Sequence, residues 1–124
     1  MRNWSAFQFS RRNKILSDSG IETYRSFLAS DVWKNLKKRT RESKNTYWHK
    51  CIVCGSKEKL NLHHIKYKKA MLKDGDIKNI RPLCEKHHKE THDFAREKNI
   101  HLGNAFRRLL KKYHVSMTDL RIGL

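Results

Sequence analysis

The sequence has no apolar run longer than a few residues; Ala6-Phe7 and Leu109-Leu110 are typical. A membrane-spanning helix needs about 20 mostly apolar residues, so none is expected. The opening MRNWSAFQFSRRNK lacks an apolar h-region and does not read as a secretory signal. Cysteine is also sparse. There are three, an odd number, which excludes a secreted disulfide scaffold. Acid is scarce too: 12 Asp+Glu stand against 29 Lys+Arg, a formal net charge of +17 over 124 residues. This excludes an acidic chain that nucleic acid would repel. No internal repeat or low-complexity linker breaks the chain, so residues 1–124 are expected to form one domain.

What is present is a small apolar fraction (37%) beneath a strongly basic surface. Such a charge repels itself and calls for a polyanion, with nucleic acid as the default partner. Charge alone does not separate a DNA-binding module from an enzyme.

Local patterns give a helical N-terminal extension over 1–46 and a helical C-terminal segment over 102–124. Trp4, Phe7, Phe9 and Arg11-Arg12 fit either a nucleic-acid-binding arm or aromatics docked on the domain. Ser19-x-x-Glu22 has the form of a capping box, followed by Ile21, Tyr24 and Leu28 at helical spacing. Ser30 is placed to cap a further helix, with Val32, Trp33 and Leu36 on one side. Lys34, Lys37, Lys38 and Arg41 occupy much of the rest, as a solvated face or a phosphate-contacting one. Cys51-Ile-Val-Cys54-Gly55 reads as a knuckle turn, and Leu60, Leu62 and Ile65 as a strand. Residues 66–78 read as a polar loop, and a helix is expected from about Cys84 to Lys98. Leu102, Phe106, Leu109, Leu110 and Tyr113 form an amphipathic stripe, and Ser116-x-x-Asp119 can cap one last turn.

Five of the eight histidines fall between His63 and His92, interleaved with the cysteines. His49, His101 and His114 read as surface imidazoles without a role. On a helix, Cys84 and His87 are i and i+3 and converge, while His88 and His92 are i and i+4 and stack on another face. One set is therefore Cys51, Cys54, Cys84 and His87, four protein ligands of the kind that closes a structural zinc site. Such a zinc would offset the thin core. The other set is His63, His88 and His92, which leaves a coordination position open, as catalytic sites do. His64, next to His63, is suited to general-base work if it lies beside the metal without binding it. The alternative is a second structural metal with His64 satisfied in the interior.

Cys51-x2-Cys54, Leu60-Asn-Leu-His63-His64-Ile65, Asn79 and Leu83-Cys84-x2-His87-His88-x3-His92 together resemble the HNH endonucleases. The spacing looks like that of members with a His-His pair, among them the nuclease domains of colicins. SFLASDVWKNLKKR resembles the helix that precedes the knuckle in small free-standing, often phage-borne members. The resemblance implies an α+β chain with a ββα-metal core over 51–92, a strand pair and a helix clamping a metal. It also implies His64 as general base, His63, His88 and His92 as catalytic-metal ligands, and Asn79 as the residue that tethers the loop and orients His64. Asn79 as a plain cap or turn residue is the competing reading. The chain departs from the family in two places. His87 stands where zinc-containing members usually have a fourth cysteine, and His63 where many have aspartate. The second change makes the site less anionic and unsettles a preference for Mg²⁺.

The expected activity is hydrolysis of DNA phosphodiesters, as a nick or a double-strand break, leaving 5′-phosphate and 3′-hydroxyl ends. It would use one structural Zn²⁺ and one catalytic Mg²⁺, Mn²⁺, Ni²⁺ or Zn²⁺. Candidate DNA contacts are Lys34, Lys37, Lys38, Arg41, Lys66, Lys68 and Lys69. An intracellular setting is expected, in the cytoplasm or nucleoid of a bacterial host or as a phage product. A homodimer or larger DNA-processing complex, a toxin fragment, and a non-catalytic zinc-stapled binding module remain open.

Overall fold

In the computed structural model, residues 3–21, 23–65, 67, 69–72 and 77–116 are described. The elements run α1 (Trp4–Asp18), α2 (Tyr24–Leu28), α3 (Asp31–Glu42), β1 (Leu60–His64), β2 (Ile80–Cys84), α4 (Glu85–Lys98) and α5 (Leu102–Lys112). Short 3-10 turns occupy Thr46–His49, Lys69–Leu72 and Ile77–Asn79. The expected α+β class holds: helices surround one antiparallel pair of strands. None of the described helices is long and apolar enough to cross a membrane.

The helix-start chemistry explains most boundaries. Ser30 caps α3 by accepting from the Trp33 N–H, 3.4 Å away, as its sequence position predicts. Trp33, Leu36 and Thr40 then form the buried stripe of α3, while Lys34, Lys37, Lys38 and Arg41 are exposed. The capping box at Ser19 is corrected. Ser19 ends α1, its N–H bonding the carbonyls of Leu16 and Ser17. The cap of the next helix is Thr23, whose hydroxyl accepts from Ser26 N–H at 3.0 Å. Both residues suit a cap; α1 extends further than the sequence pattern suggested and claims Ser19 first. Glu22 lies outside the described residues, as does Asp119 of the second capping pattern.

The N-terminal aromatics belong to a docked helix. Asn99 ends α4 in the left-handed region (φ 51°, ψ 52°), which asparagine tolerates better than most residues. Its side chain accepts from Trp4 N–H at 2.9 Å, joining the start of α1 to the end of α4. Gln8 is buried and accepts from Leu102 N–H at 3.0 Å, joining α1 to α5.

Leu16, Phe27, Trp33, Leu36, Trp48, Tyr67, Met71 and Ile80 belong to one core cluster. A second surrounds the knuckle and α5: Cys51, Ile65, Leu83, Cys84, Phe106 and Leu110. Each Leu or Phe so buried contributes about 1.5–3 kcal/mol of transfer free energy. The polar loop expected over 66–78 is partly corrected, since Tyr67 is buried and Met71 fully so. These two residues anchor the segment between the strands into the core. Arg81, also buried, donates to the carbonyls of Lys78 (3.1 Å) and Ile80 (2.6 Å) and holds the approach to β2.

Candidate active site

The strand register sets the site. β1 and β2 pair with Leu60 opposite Cys84 and His64 opposite Ile80, and the ladder extends one step through Ile65 N–H to Asn79 carbonyl at 2.8 Å. Asn79 thus ties the end of the inter-strand segment to the residue following His64. Cys84 is at once the last residue of β2 and the N-cap of α4, so the strand delivers the helix directly to both Cys/His groups.

At one end of this unit the four ligand atoms of Cys51, Cys54, Cys84 and His87 lie within 4.8 Å of one another. Cys54 Sγ and Cys84 Sγ are 3.8 Å apart, and His87 Nδ1 is 3.2 Å from Cys84 Sγ and 3.8 Å from Cys51 Sγ. Tetrahedral zinc with ordinary bond lengths requires sulfur–sulfur edges of about 3.8 Å and sulfur–nitrogen edges of about 3.5 Å. These three edges lie close to the required values, so the group could hold a zinc ion. The knuckle is the expected tight turn: Gly55 sits at φ 73° and donates to Cys51 carbonyl at 2.9 Å. All three cysteines are free thiols. Burial opposes ionisation of Cys51, but backbone N–H groups of Cys84, Cys54 and Val53 outweigh it and hold the thiol below its ordinary pKa. Burial and the neighbouring Cys51 push Cys84 the other way. Two adjacent thiolates repel, and a divalent cation between them removes that conflict.

His63, His88 and His92 form the second group, their ligand atoms likewise within 4.8 Å. The ring centroids of His88 and His92 are 4.8 Å apart, with His63 at 5.2 and 5.5 Å from them and resting on Phe106. Both ring nitrogens of buried His63 lack a hydrogen-bond partner among the described residues. A buried imidazole left so is costly, and a metal ion held by the trio would satisfy one of its two nitrogens. Burial lowers the pKa of all three: His92 to about 4, His63 well below its ordinary value, His88 in the same direction. Each ring is therefore neutral at pH 7, the state that binds metal.

His64 ends β1 and is not among the trio's converging ligand atoms, though it is close enough to His88 to feel its charge. Its ring stacks on Trp33, 4.9 Å between centroids and 26° between planes, with Tyr67 at 5.6 Å. Tyr24 Oη lies 3.5 Å from His64 Nδ1, and Nε2 has no partner among the described residues. Burial pushes its pKa down to about 4, with His88 and Arg12 acting in the same sense.

Arg12 was legible only as half of a basic pair. In the fold its guanidinium lies 4.1 Å from the Tyr24 ring centroid, 4.8 Å from Phe9 and 5.6 Å from Tyr67. It makes no ion pair with a described carboxylate, and its charge lowers the pKa of both His64 and His92. Sequence reasoning assigned neither Tyr24 nor Arg12 to the site.

A groove of about 720 Å³ opens between α3 and β1, and His88 forms part of its wall. Lys37, Arg41 and Lys57 line it together with Tyr24, Trp33 and Trp48, and no carboxylate does among the described residues. Of the sequence-predicted cations, Lys37 and Arg41 therefore share this groove with His88, while Lys34 and Lys38 are exposed elsewhere on α3. Lys69 is exposed; Lys66 and Lys68 lie outside the described residues. His49, expected at the surface, is half-buried and lines the groove. His101 caps α5, accepting from Gly103 N–H at 3.0 Å.

Residues 51–94 match the family model described as HNH endonuclease. Over this segment the chain is similar to the HNH endonucleases. No curated protein and no solved structure matches the chain. The matched span begins at the first knuckle cysteine and ends two residues past His92, so it contains both groups that could hold a metal ion.

Proposed function

We propose that this HNH domain is a working metal-dependent DNA endonuclease, with His64 as general base and His63, His88 and His92 as the ligands of the catalytic metal. The observation that carries this reading is the contrast between the two metal groups. Cys51, Cys54, Cys84 and His87 supply four ligand atoms, enough to close a tetrahedron, whereas the histidine trio leaves one position open near a fourth, unligated imidazole, His64. His63, His88 and His92 would hold a divalent ion, which would supply Lewis-acid stabilisation of the scissile phosphate and the leaving 3′ oxygen.

The chain's own residues account for the rest. His64 is neutral before DNA binds, so its free ring nitrogen can take a proton from the attacking water. A pKa near 4 makes it a weak base, but the negative charge of a docked phosphodiester raises its proton affinity. Trp33 and Tyr24 fix the ring, and Asn79 fixes the strand end that carries it. Arg12, held among aromatic rings without a described carboxylate, is placed to receive a phosphate oxygen. Lys37, Arg41 and Lys57 extend the positive lining away from the trio along the groove, for backbone grip without sequence readout.

A non-catalytic zinc-stapled binder would account for the charge and the cysteines. It offers no use for three converging imidazoles whose buried member lacks a hydrogen-bond partner among the described residues. Supercoiled-plasmid nicking with Mg²⁺, Mn²⁺, Ni²⁺ or Zn²⁺, with His64→Ala as control, separates the two.

A further inference from the structure

Of the four residues in the Cys/His group, His87 has a further neighbour of opposite chemistry. Its Nδ1 faces the sulfurs, and its Nε2 lies 4.0 Å from Glu90 Oε1. Glu90 is three positions along α4, so both side chains share one helix face. The carboxylate is itself held from another element. Tyr113 Oη donates to both of its oxygens, at 2.8 and 3.0 Å, and Lys112 Nζ lies 3.2 Å from Oε2. The Tyr113 ring meets the His87 ring edge-on, 5.2 Å between centroids and 76° between planes. Lys112 is the last residue of α5 and Tyr113 its C-cap.

We propose that Glu90 is a positioning residue for the zinc site, and that Tyr113 and Lys112 lock it, so that docking of the α5 end and zinc binding reinforce each other. The inference rests on the zinc reading of the Cys/His group and not on DNA cleavage. When His87 ligates through Nδ1, its Nε2 must carry the proton, and metal binding polarises that N–H. A carboxylate on this side fixes the tautomer and ring orientation and makes the imidazole a stronger donor to the metal. The remaining distance is about 1 Å beyond a charge-assisted hydrogen bond, within the reach of a half-buried Glu side chain. The grip of Tyr113 and Lys112 removes the rotamer freedom that would otherwise oppose this contact. Substitution of an imidazole for a fourth thiolate thus brings a requirement that a thiolate would not have, and α5 meets it.

The test is a Co²⁺ titration of the full chain followed by zinc back-competition. It is read from the near-ultraviolet thiolate-to-cobalt absorption, which reports the cysteine-containing site and not the histidine trio. Glu90→Ala is expected to weaken affinity about 10- to 100-fold with the thiolate band retained. Glu90→Gln, which keeps an acceptor oxygen, should lose less, and Tyr113→Phe should shift affinity in the same direction by a smaller factor. A Glu90→Ala protein that binds metal as tightly as wild type, yet melts at a lower temperature, would overturn the proposal and leave Glu90 a surface link between helices. Absence of any thiolate band in the wild-type chain would instead remove the zinc reading beneath it.

Discussion

The imidazole of His64 lies almost parallel to the indole of Trp33, with 4.9 Å between ring centroids. Trp33 comes from α3, far upstream of the matched HNH segment, so the N-terminal extension builds one wall of the site. An aromatic plate on one side and Tyr24 Oη near Nδ1 leave the ring little freedom. Removing the ring should therefore remove the chemistry while the fold remains. In His64→Ala, DNA nicking is expected to fall to background, with zinc content and melting temperature within a few degrees of wild type. Wild-type nicking by that variant would take the general-base role from His64.

Arg12 supplies a second test. Arg12→Ala should lower single-turnover cleavage on the order of 100-fold, the scale for losing one preorganised contact to developing charge. Arg12→Lys should restore only part of this, because an ammonium lacks the planar face that packs among Tyr24, Phe9 and Tyr67. Unchanged cleavage in Arg12→Ala would assign the residue to helix docking.

The zinc group makes a stability prediction. Cys54→Ser removes one of four ligands from a chain with a small core, and its melting temperature should drop by more than about 10 °C with loss of bound zinc. An unchanged melt would mean that the Cys/His group does not staple the fold.

Stability should also fall in acid before the carboxylates titrate. His64 and His92 have folded pKa values of about 4 against an ordinary 6.5. Below about 6.5 the unfolded chain binds protons that the folded chain refuses, so stability present at pH 7 is lost as pH falls from about 6.5 toward 4. Metal held by neutral imidazoles adds to the loss in the same direction. Thermal melts across that range should decline steadily; a flat profile would contradict the burial of these rings.

Grip on DNA should be electrostatic. Lys37→Ala and Arg41→Ala are each expected to lessen the slope of log binding constant against log salt by about 0.9, if each groove cation neutralises one phosphate of a duplex. Lys34→Ala, outside the groove, should change it less.

Both metal groups were legible because ligand chemistry ties residue type to spacing. Cys-x2-Cys closes a knuckle, and positions 84, 87, 88 and 92 divide between two faces of one helix by geometry alone. The stripe of α5 and the Ser30 cap were legible for the same local reason. The parts that were not legible depend on contacts distant in the chain. Tyr24 reaches His64 across 40 positions. Arg12 acquires its place only when α1 docks, through Asn99 and Gln8, onto α4 and α5. Ser19 and Thr23 are both good caps, and the length of α1, set by packing of Ile15 and Leu16, decides between them. Met71 looked like part of a polar loop because its neighbours are polar, though the core claims it.

The central claim is that the open histidine trio, with His64 beside it, cuts DNA. Its most direct test is conversion of supercoiled plasmid by purified, zinc-loaded protein on addition of a second divalent metal. Metal-dependent appearance of nicked or linear product in the wild type, absent in both His64→Ala and His92→Ala, is the predicted result. Tight, salt-sensitive DNA binding by the wild type with no cleavage under any of the four metals would contradict it.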